Sequence, residues 1–90
     1  MITIYGKENC PYCEAAKGFF QFLDMEYEYR DATSDKEVQS EFRRLFPEAK
    51  TVPQIIIDNH HIGGYEELIE VTDENGELQW NLIKNKSEVI

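Results

Sequence analysis

An α/β fold, with a four-stranded mixed sheet covered by helices on both faces, is what this sequence predicts. Three observations lead there. Short β-branched and aromatic runs alternate with stretches of helical period in the order β-α-β-α-β-β-α. The first two strands flank a helix, which makes them parallel partners joined by a right-handed crossover. The third and fourth are separated only by a turn, which makes them an antiparallel hairpin with helices packed above and below the sheet.

Each element has a local reason. Ile2-Thr3-Ile4-Tyr5 is β-branched and aromatic and reads as a strand that Gly6 ends. Pro11 suits a first helical turn, where its missing N–H is not needed. Cys13, Ala16, Phe20 and Leu23 then recur at helical spacing, widened by Phe19 and Phe22, so a helix is expected from Pro11 to Leu23. Tyr27 to Arg30 alternates as a second strand. Ser34 and Glu37 fit a capping box, and Val38, Phe42, Leu45 and Phe46 form the apolar face of a second helix, which Pro47 stops. Pro53 to Ile57 is a third strand, Asp58-Asn59-His60 a turn, and His61-Ile62 a fourth strand ended by Gly63-Gly64. Tyr65 to Val71 reads as helix, Asn75-Gly76 as a turn, and Leu78 to Ile83 as a weaker amphipathic helix. Residues 1–84 make one domain, and 85–90 are expected to fray.

Composition narrows the function. Of 90 residues, 41% are hydrophobic and 30% charged, which suits a globular chain. Nine Lys and Arg against 18 Asp and Glu give a net charge of −9, so nucleic acid and anionic membrane surfaces are repelled. The longest clean apolar run, Ile55-Ile56-Ile57, is far too short to span a bilayer. MITIYGKENC has no basic segment followed by an apolar one, so no secretory leader is expected. The two cysteines, Cys10 and Cys13, would close too small a loop to constrain an unfolded chain, which points to chemistry in a reducing compartment.

Cys10-Pro11-Tyr12-Cys13 sits at a strand-to-helix junction. A sulfur at a helix N-terminus meets unpaired N–H groups and the positive end of the macrodipole, which favour the thiolate. Lys7 adds a positive neighbour. Cys13 lies one helical turn further on, within disulfide reach and more buried. The spacing therefore gives an exposed attacking thiolate at Cys10 and a resolving thiol at Cys13. Beside a βαβ pattern, such a pair reads as a thioredoxin-like redox motif. A zinc site using His60 and His61 is the competing reading, but adjacent histidines lack the usual ligand spacing and no second Cys-X-X-Cys exists. His60 and His61 read as hairpin residues.

Two further motifs stand nearby. In Thr51-Val52-Pro53, the general rarity of cis X-Pro bonds argues for trans. A functional reading makes Pro53 cis, turning the Val52 backbone toward Cys10, where an extended peptide adds as a strand. Gly63-Gly64-Tyr65-Glu66-Glu67 opens a helix. Its glycines permit close backbone approach and its N–H groups suit a carboxylate, although on this motif alone a plain strand-to-helix turn is the favoured reading.

Together the three motifs resemble the dithiol glutaredoxins, over a stretch from Ile2 to about Ile83. That resemblance implies a thioredoxin-like fold and glutathione-dependent reduction of protein disulfides and glutathione mixed disulfides. It makes Cys10 the nucleophile and Cys13 the resolving cysteine. Lys7 and Tyr12 then flank the bound tripeptide, Thr51 and Val52 pair with its cysteinyl unit, and Pro53 matches the family's cis-proline. Gly64, Tyr65, Glu66 and Glu67 match the loop that holds the γ-glutamyl end, its N–H groups taking the carboxylate and an acidic side chain the ammonium. Glu67 stands where many relatives carry Asp, and Lys50 stands where a basic residue meets the glycyl carboxylate.

The resemblance further implies a cytoplasmic monomer with no metal and no permanently bound cofactor, glutathione being a co-substrate. Disulfide-containing or glutathionylated proteins are the expected partners, with ribonucleotide reductase as one protein substrate that nothing here selects. Two alternatives remain. One is a protein-disulfide reductase served by thioredoxin reductase, against which Asn9 stands where thioredoxins carry Trp. The other is a glutaredoxin that holds a [2Fe–2S] cluster, against which the rigid Pro11 argues.

Overall fold

The computed structural model describes residues 1–86, the side chains of 1–85 among them. The strands are β1 (Ile2–Gly6), β2 (Glu28–Asp31), β3 (Gln54–Ile57) and β4 (His60–Gly63). The helices are α1 (Pro11–Phe22), α2 (Lys36–Leu45), α3 (Tyr65–Glu70) and α4 (Trp80–Lys86). The sheet order is β2-β1-β3-β4, with β1 parallel to β2 and antiparallel to β3, and β3 antiparallel to β4. The expected mixed sheet is present.

Strand alternation builds two cores. Ile2 and Ile4 of β1 lie opposite Ile57 and Ile55 of β3, and all four are buried on one face with Ala16 and Phe20 of α1, Leu68 of α3 and Ile83 of α4. Each Ile, Leu or Phe among them contributes about 1.5–3 kcal/mol by leaving water. The other face carries Tyr5, Ala32, Val38 and Phe46, with Phe42, Leu45, Ala49 and Ile56 packed against them, so α2 and the residues just after it cover this face. On that face Tyr5 Oη donates to Glu41 (2.7 Å), whose other oxygen accepts from Arg30 Nη2 (2.7 Å) and Nε (3.0 Å). Arg30 also donates to Glu28 (3.1 Å). Burial, reinforced by the Glu41 carboxylate, pushes the Tyr5 phenol up to about 12. The same hydrogen bond from Tyr5 holds the Glu41 carboxyl below its ordinary range.

Several expectations are corrected. The second helix is capped by Asp35, not Ser34: Asp35 Oδ1 accepts from the N–H groups of Glu37 (2.9 Å) and Val38 (3.3 Å). The Ser34 amide is engaged by Asp31, whose Oδ1 also accepts from the Thr33 N–H and hydroxyl. Phe22 does not widen the buried stripe of α1; it is 80% exposed, because the helical period puts it on the side of α1 away from the buried Cys13, Ala16 and Phe20. The hairpin turn is tighter than expected. Asp58 and Asn59 alone form it, with φ of 46° and 68°, the left-handed pair a two-residue hairpin requires, and His60 already belongs to β4. The Met1 ammonium contacts the Asp58 carboxylate at this turn. Leu78 is not helical, since it bridges to Thr72 and the last helix starts at Trp80. That helix runs through residues 85 and 86, expected to fray; 87–90 lie outside the described residues.

The Asp31 turn has a pH signature. Hydrogen bonds from Thr33, its N–H first, lower the Asp31 carboxyl from the usual 3.8 to about 2. A carboxyl depressed on folding stabilises the fold above its unfolded value and loses that contribution as pH falls through the folded one. Asp31→Ala is therefore expected to lower Tm at neutral pH, with the gap from wild type closing between about pH 4 and pH 2. Thermal unfolding of both proteins across that range checks it. A gap that stays constant excludes the carboxylate's charge as its cause.

Candidate functional site

The site lies where β1 ends and α1 begins. Tyr29 Oη donates to the Lys7 carbonyl (3.0 Å) and Lys17 Nζ sits 4.3 Å over the Tyr29 ring, so β2 and α1 together fix the connecting loop. Asn9 takes a left-handed φ of 56°, which Asn tolerates better than most residues. Cys10 is then extended (φ −116°, ψ 103°), as the following proline demands, and becomes the N-cap of α1 with Pro11 in the first turn. Its Sγ accepts from the Cys13 N–H at 3.2 Å. Cys10 and Cys13 form a disulfide with Cα atoms 5.2 Å apart.

Both sulfurs sit deep. Cys13 is fully buried, and Cys10, expected to be exposed, is only 5% accessible. The N-cap position folds its side chain over the first helical turn, and the Val52 carbonyl oxygen stands 3.9 Å from its Sγ. Behind Cys13, Gly6 leaves no room: a Cβ there would lie 2.9 Å from Cys13 Sγ and 2.7 Å from Tyr29 Cζ. The close approach of strand and disulfide requires glycine.

A groove of about 380 Å³ opens beside Val52. One wall is Tyr12 of α1, 59% exposed, with its ring 6.1 Å from that of Tyr65. Thr51, Val52 and Pro53 form another, and the Val52–Pro53 bond is cis, against the general expectation of trans and in line with the functional reading. The double-glycine loop closes the groove with Gly64, Tyr65, Glu66 and Glu67. Glu67 folds back so that its Oε1 accepts from the Gly64 N–H at 2.7 Å, and its side chain covers the loop that was expected to receive a carboxylate.

Of the expected residues, Tyr12, Thr51, Val52, Pro53, Gly64, Tyr65, Glu66 and Glu67 meet in this groove, next to Cys10 and Cys13. Lys7 and Lys50 do not line it; both are exposed on loops beside it in sequence. His60 faces the Trp80 ring at 5.8 Å, and His61 packs on Phe46 at 4.5 Å and hydrogen-bonds Gln54. Among the described residues no three His, Cys, Asp or Glu side chains gather as a metal-binding group, and no helix is long and apolar enough to cross a membrane. Sequence reasoning gave Asn9, Tyr29 and Gln54 no part in shaping the site. Only Asn9 carried a local signal, its tolerance of positive φ.

A cysteine pair at a helix entrance, with an N–H already donating to the first sulfur, exchanges disulfides once reduced. With this sheet order and helices on both faces, the chain is a thiol–disulfide oxidoreductase of the thioredoxin fold. The model of the glutaredoxin family matches residues 2–62. Glutaredoxin 1 of Escherichia coli K12 is 33% identical over 79 residues, which span 81% of this chain and 93% of that protein. The crystal structure of glutaredoxin 1 from Francisella tularensis, complexed with cacodylate, superposes with a TM-score of 0.65 at 33% identity, over 77% of this chain and 87% of that one. A buckwheat glutaredoxin–glutathione complex shares the fold with a TM-score of 0.70 at 22% identity, over 92% of this chain and 76% of that one. The chain belongs to the glutaredoxin family, whose members are glutathione-dependent oxidoreductases.

Proposed function

We propose that this chain, acting as one domain over residues 1–84, reduces glutathione mixed disulfides and protein disulfides with glutathione held in the groove. One observation carries the reading: an open groove walled by Thr51, Val52 and the cis-proline Pro53 stands beside the sulfur of Cys10. Val52 pairs with the cysteinyl unit as an added strand and brings its sulfur to Cys10. The Tyr12 and Tyr65 rings wall the tripeptide. The loop from Gly64 to Glu67 takes the γ-glutamyl end, with the Glu67 carboxylate facing its ammonium. Lys7 and Lys50, although outside the lining, contribute positive charge to an otherwise acidic surface.

The chemistry balances without a resident cofactor or metal. The Cys10 thiolate attacks the glutathione sulfur of a mixed disulfide, the protein thiolate leaves, and Cys10 becomes glutathionylated. The thiolate of a second glutathione attacks the sulfur of the bound one, releasing oxidised glutathione and the Cys10 thiolate. With a protein disulfide, Cys10 forms a mixed disulfide with the protein. Cys13 then attacks the Cys10 sulfur, the protein dithiol departs, and two glutathiones reduce the Cys10–Cys13 disulfide. Glutathionylated and disulfide-bonded proteins are the partners of a monomer in the reducing cytoplasm, and the acidic surface favours basic ones.

The test is glutathione-coupled reduction of a small glutathionyl disulfide, compared with reduction by thioredoxin reductase. Turnover with glutathione alone is the expected result. A protein idle with glutathione and active with thioredoxin reductase keeps its class but loses the glutathione site.

A further inference from the structure

Gln54 is the buried polar side chain of this fold among the described residues, at 7% exposure, and the reaction just described does not use it. It opens β3 directly after Pro53. Its Nε2 donates to the Thr51 carbonyl at 3.0 Å, and its Oε1 lies 2.7 Å from His61 Nε2. A carbonyl only accepts, so the amide nitrogen must face Thr51 and the amide oxygen His61. His61 Nε2 is therefore a donor, and the hydrogen bonds run in one direction, from His61 through Gln54 to Thr51.

The chain is anchored at its far end. The His61 ring packs 4.5 Å from that of Phe46, the residue that closes α2, and His61 pairs with Ile56 across the sheet. A register shift between Ile55 and Ile56 places Gly63, not Ile62, opposite Ile55. Pairing with Ile56, which packs on the α2 side, places His61 on that face with Gln54, while Ile62 lies in the opposite core.

We propose that Gln54 and His61 are positioning residues: they clamp the Thr51 carbonyl so that the neighbouring Val52 backbone stays presented in the groove beside Cys10. The proposal rests on the reading of the groove as the glutathione site. Thr51 is exposed and belongs to the surface connection between Phe46 and Gln54. Unclamped, that connection must be ordered each time substrate binds, which weakens binding and leaves the reacting sulfurs alone. The clamp thus sets KM, not kcat.

Three variants read it. Gln54→Met keeps length and volume without hydrogen bonds. His61→Phe keeps a ring on Phe46 without the donor, and His61→Gln restores a donor. With a glutathionylated peptide, KM is expected to rise roughly 3- to 10-fold in Gln54→Met and His61→Phe, the range one net hydrogen bond spans. His61→Gln should return close to wild type. The kcat and the alkylation rate of reduced Cys10 should stay within about twofold of wild type in all three, since no group at the sulfur is altered. An unchanged KM in folded Gln54→Met overturns the clamp, as does a fall in kcat at constant KM. If Gln54→Met does not fold, the contrast between His61→Phe and His61→Gln decides. If wild type turns over no glutathionylated peptide, the glutathione reading falls, and the clamp is judged on the free protein. The amide resonances of Thr51 and Val52 must then shift in His61→Phe and return in His61→Gln; unmoved resonances overturn it.

Discussion

Cys10→Ser is expected to abolish reduction of glutathione mixed disulfides, by on the order of 1,000-fold or more, because the nucleophile itself is lost. Cys13→Ser is expected to keep substantial activity on the same substrates and to lose reduction of protein disulfides. The asymmetry follows from position. Cys10 caps α1 and its sulfur receives the Cys13 N–H, a backbone contact that survives replacement of the Cys13 side chain. Cys13 is fully buried beneath it, able to reach Cys10 and little else. A coupled assay with glutathione and glutathione reductase, run on both substrate types, separates the roles. Equal loss in both variants would mean that every turnover passes through the intramolecular disulfide.

Gly6→Val is expected to cost about 1–3 kcal/mol of stability or more, as overpacking does, and to slow disulfide exchange as well. The first carbon of any side chain at that position falls within 2.9 Å of Cys13 Sγ and against the Tyr29 ring. Tyr29 can swing outward, but only by releasing the Lys7 carbonyl and moving from beneath Lys17. Cys13, held in α1, cannot yield without moving the helix entrance. Chemical denaturation of the oxidised and reduced forms measures the effect. A variant as stable as wild type in both forms would show that the loop absorbs the methyl groups.

Much of this geometry was readable from the chain. The β-branched runs marked β1 and β3 because both strands bury one face on Ile2, Ile4, Ile55 and Ile57, and alternation survives wherever a face is buried. The proline after Cys10 and the glycines after Ile62 are backbone-specific residues, so they revealed the helix entrance and the groove loop. What stayed hidden depends on competition between neighbours. Ser34 and Asp35 are both good caps, and the choice fell to Asp35 because Asp31 already holds the Ser34 amide. Phe22 is apolar, but its place in the helical period is on the face away from Cys13, Ala16 and Phe20, and apolarity alone did not reveal that. The isomer at Pro53 has no local code. The contact of Gln54 with His61 follows from the register of β3 against β4, which no short window contains. The depth of Cys10 is likewise a tertiary property, set by the arrival of Val52.

The strand order leaves β2 at the rim of the sheet, paired on one side only. A bare rim is an invitation to polymerise, because unsatisfied main-chain groups accept a strand from any passing molecule. Here the rim reads Glu-Tyr-Arg-Asp, and the Arg30 head group bridges Glu28 and Glu41 across it. A foreign strand that docked there would have to strip water from a carboxylate or break that bridge. The charges that brace α2 against the sheet therefore also discourage fibrous growth, and the acidic excess of the whole chain adds mutual repulsion between copies.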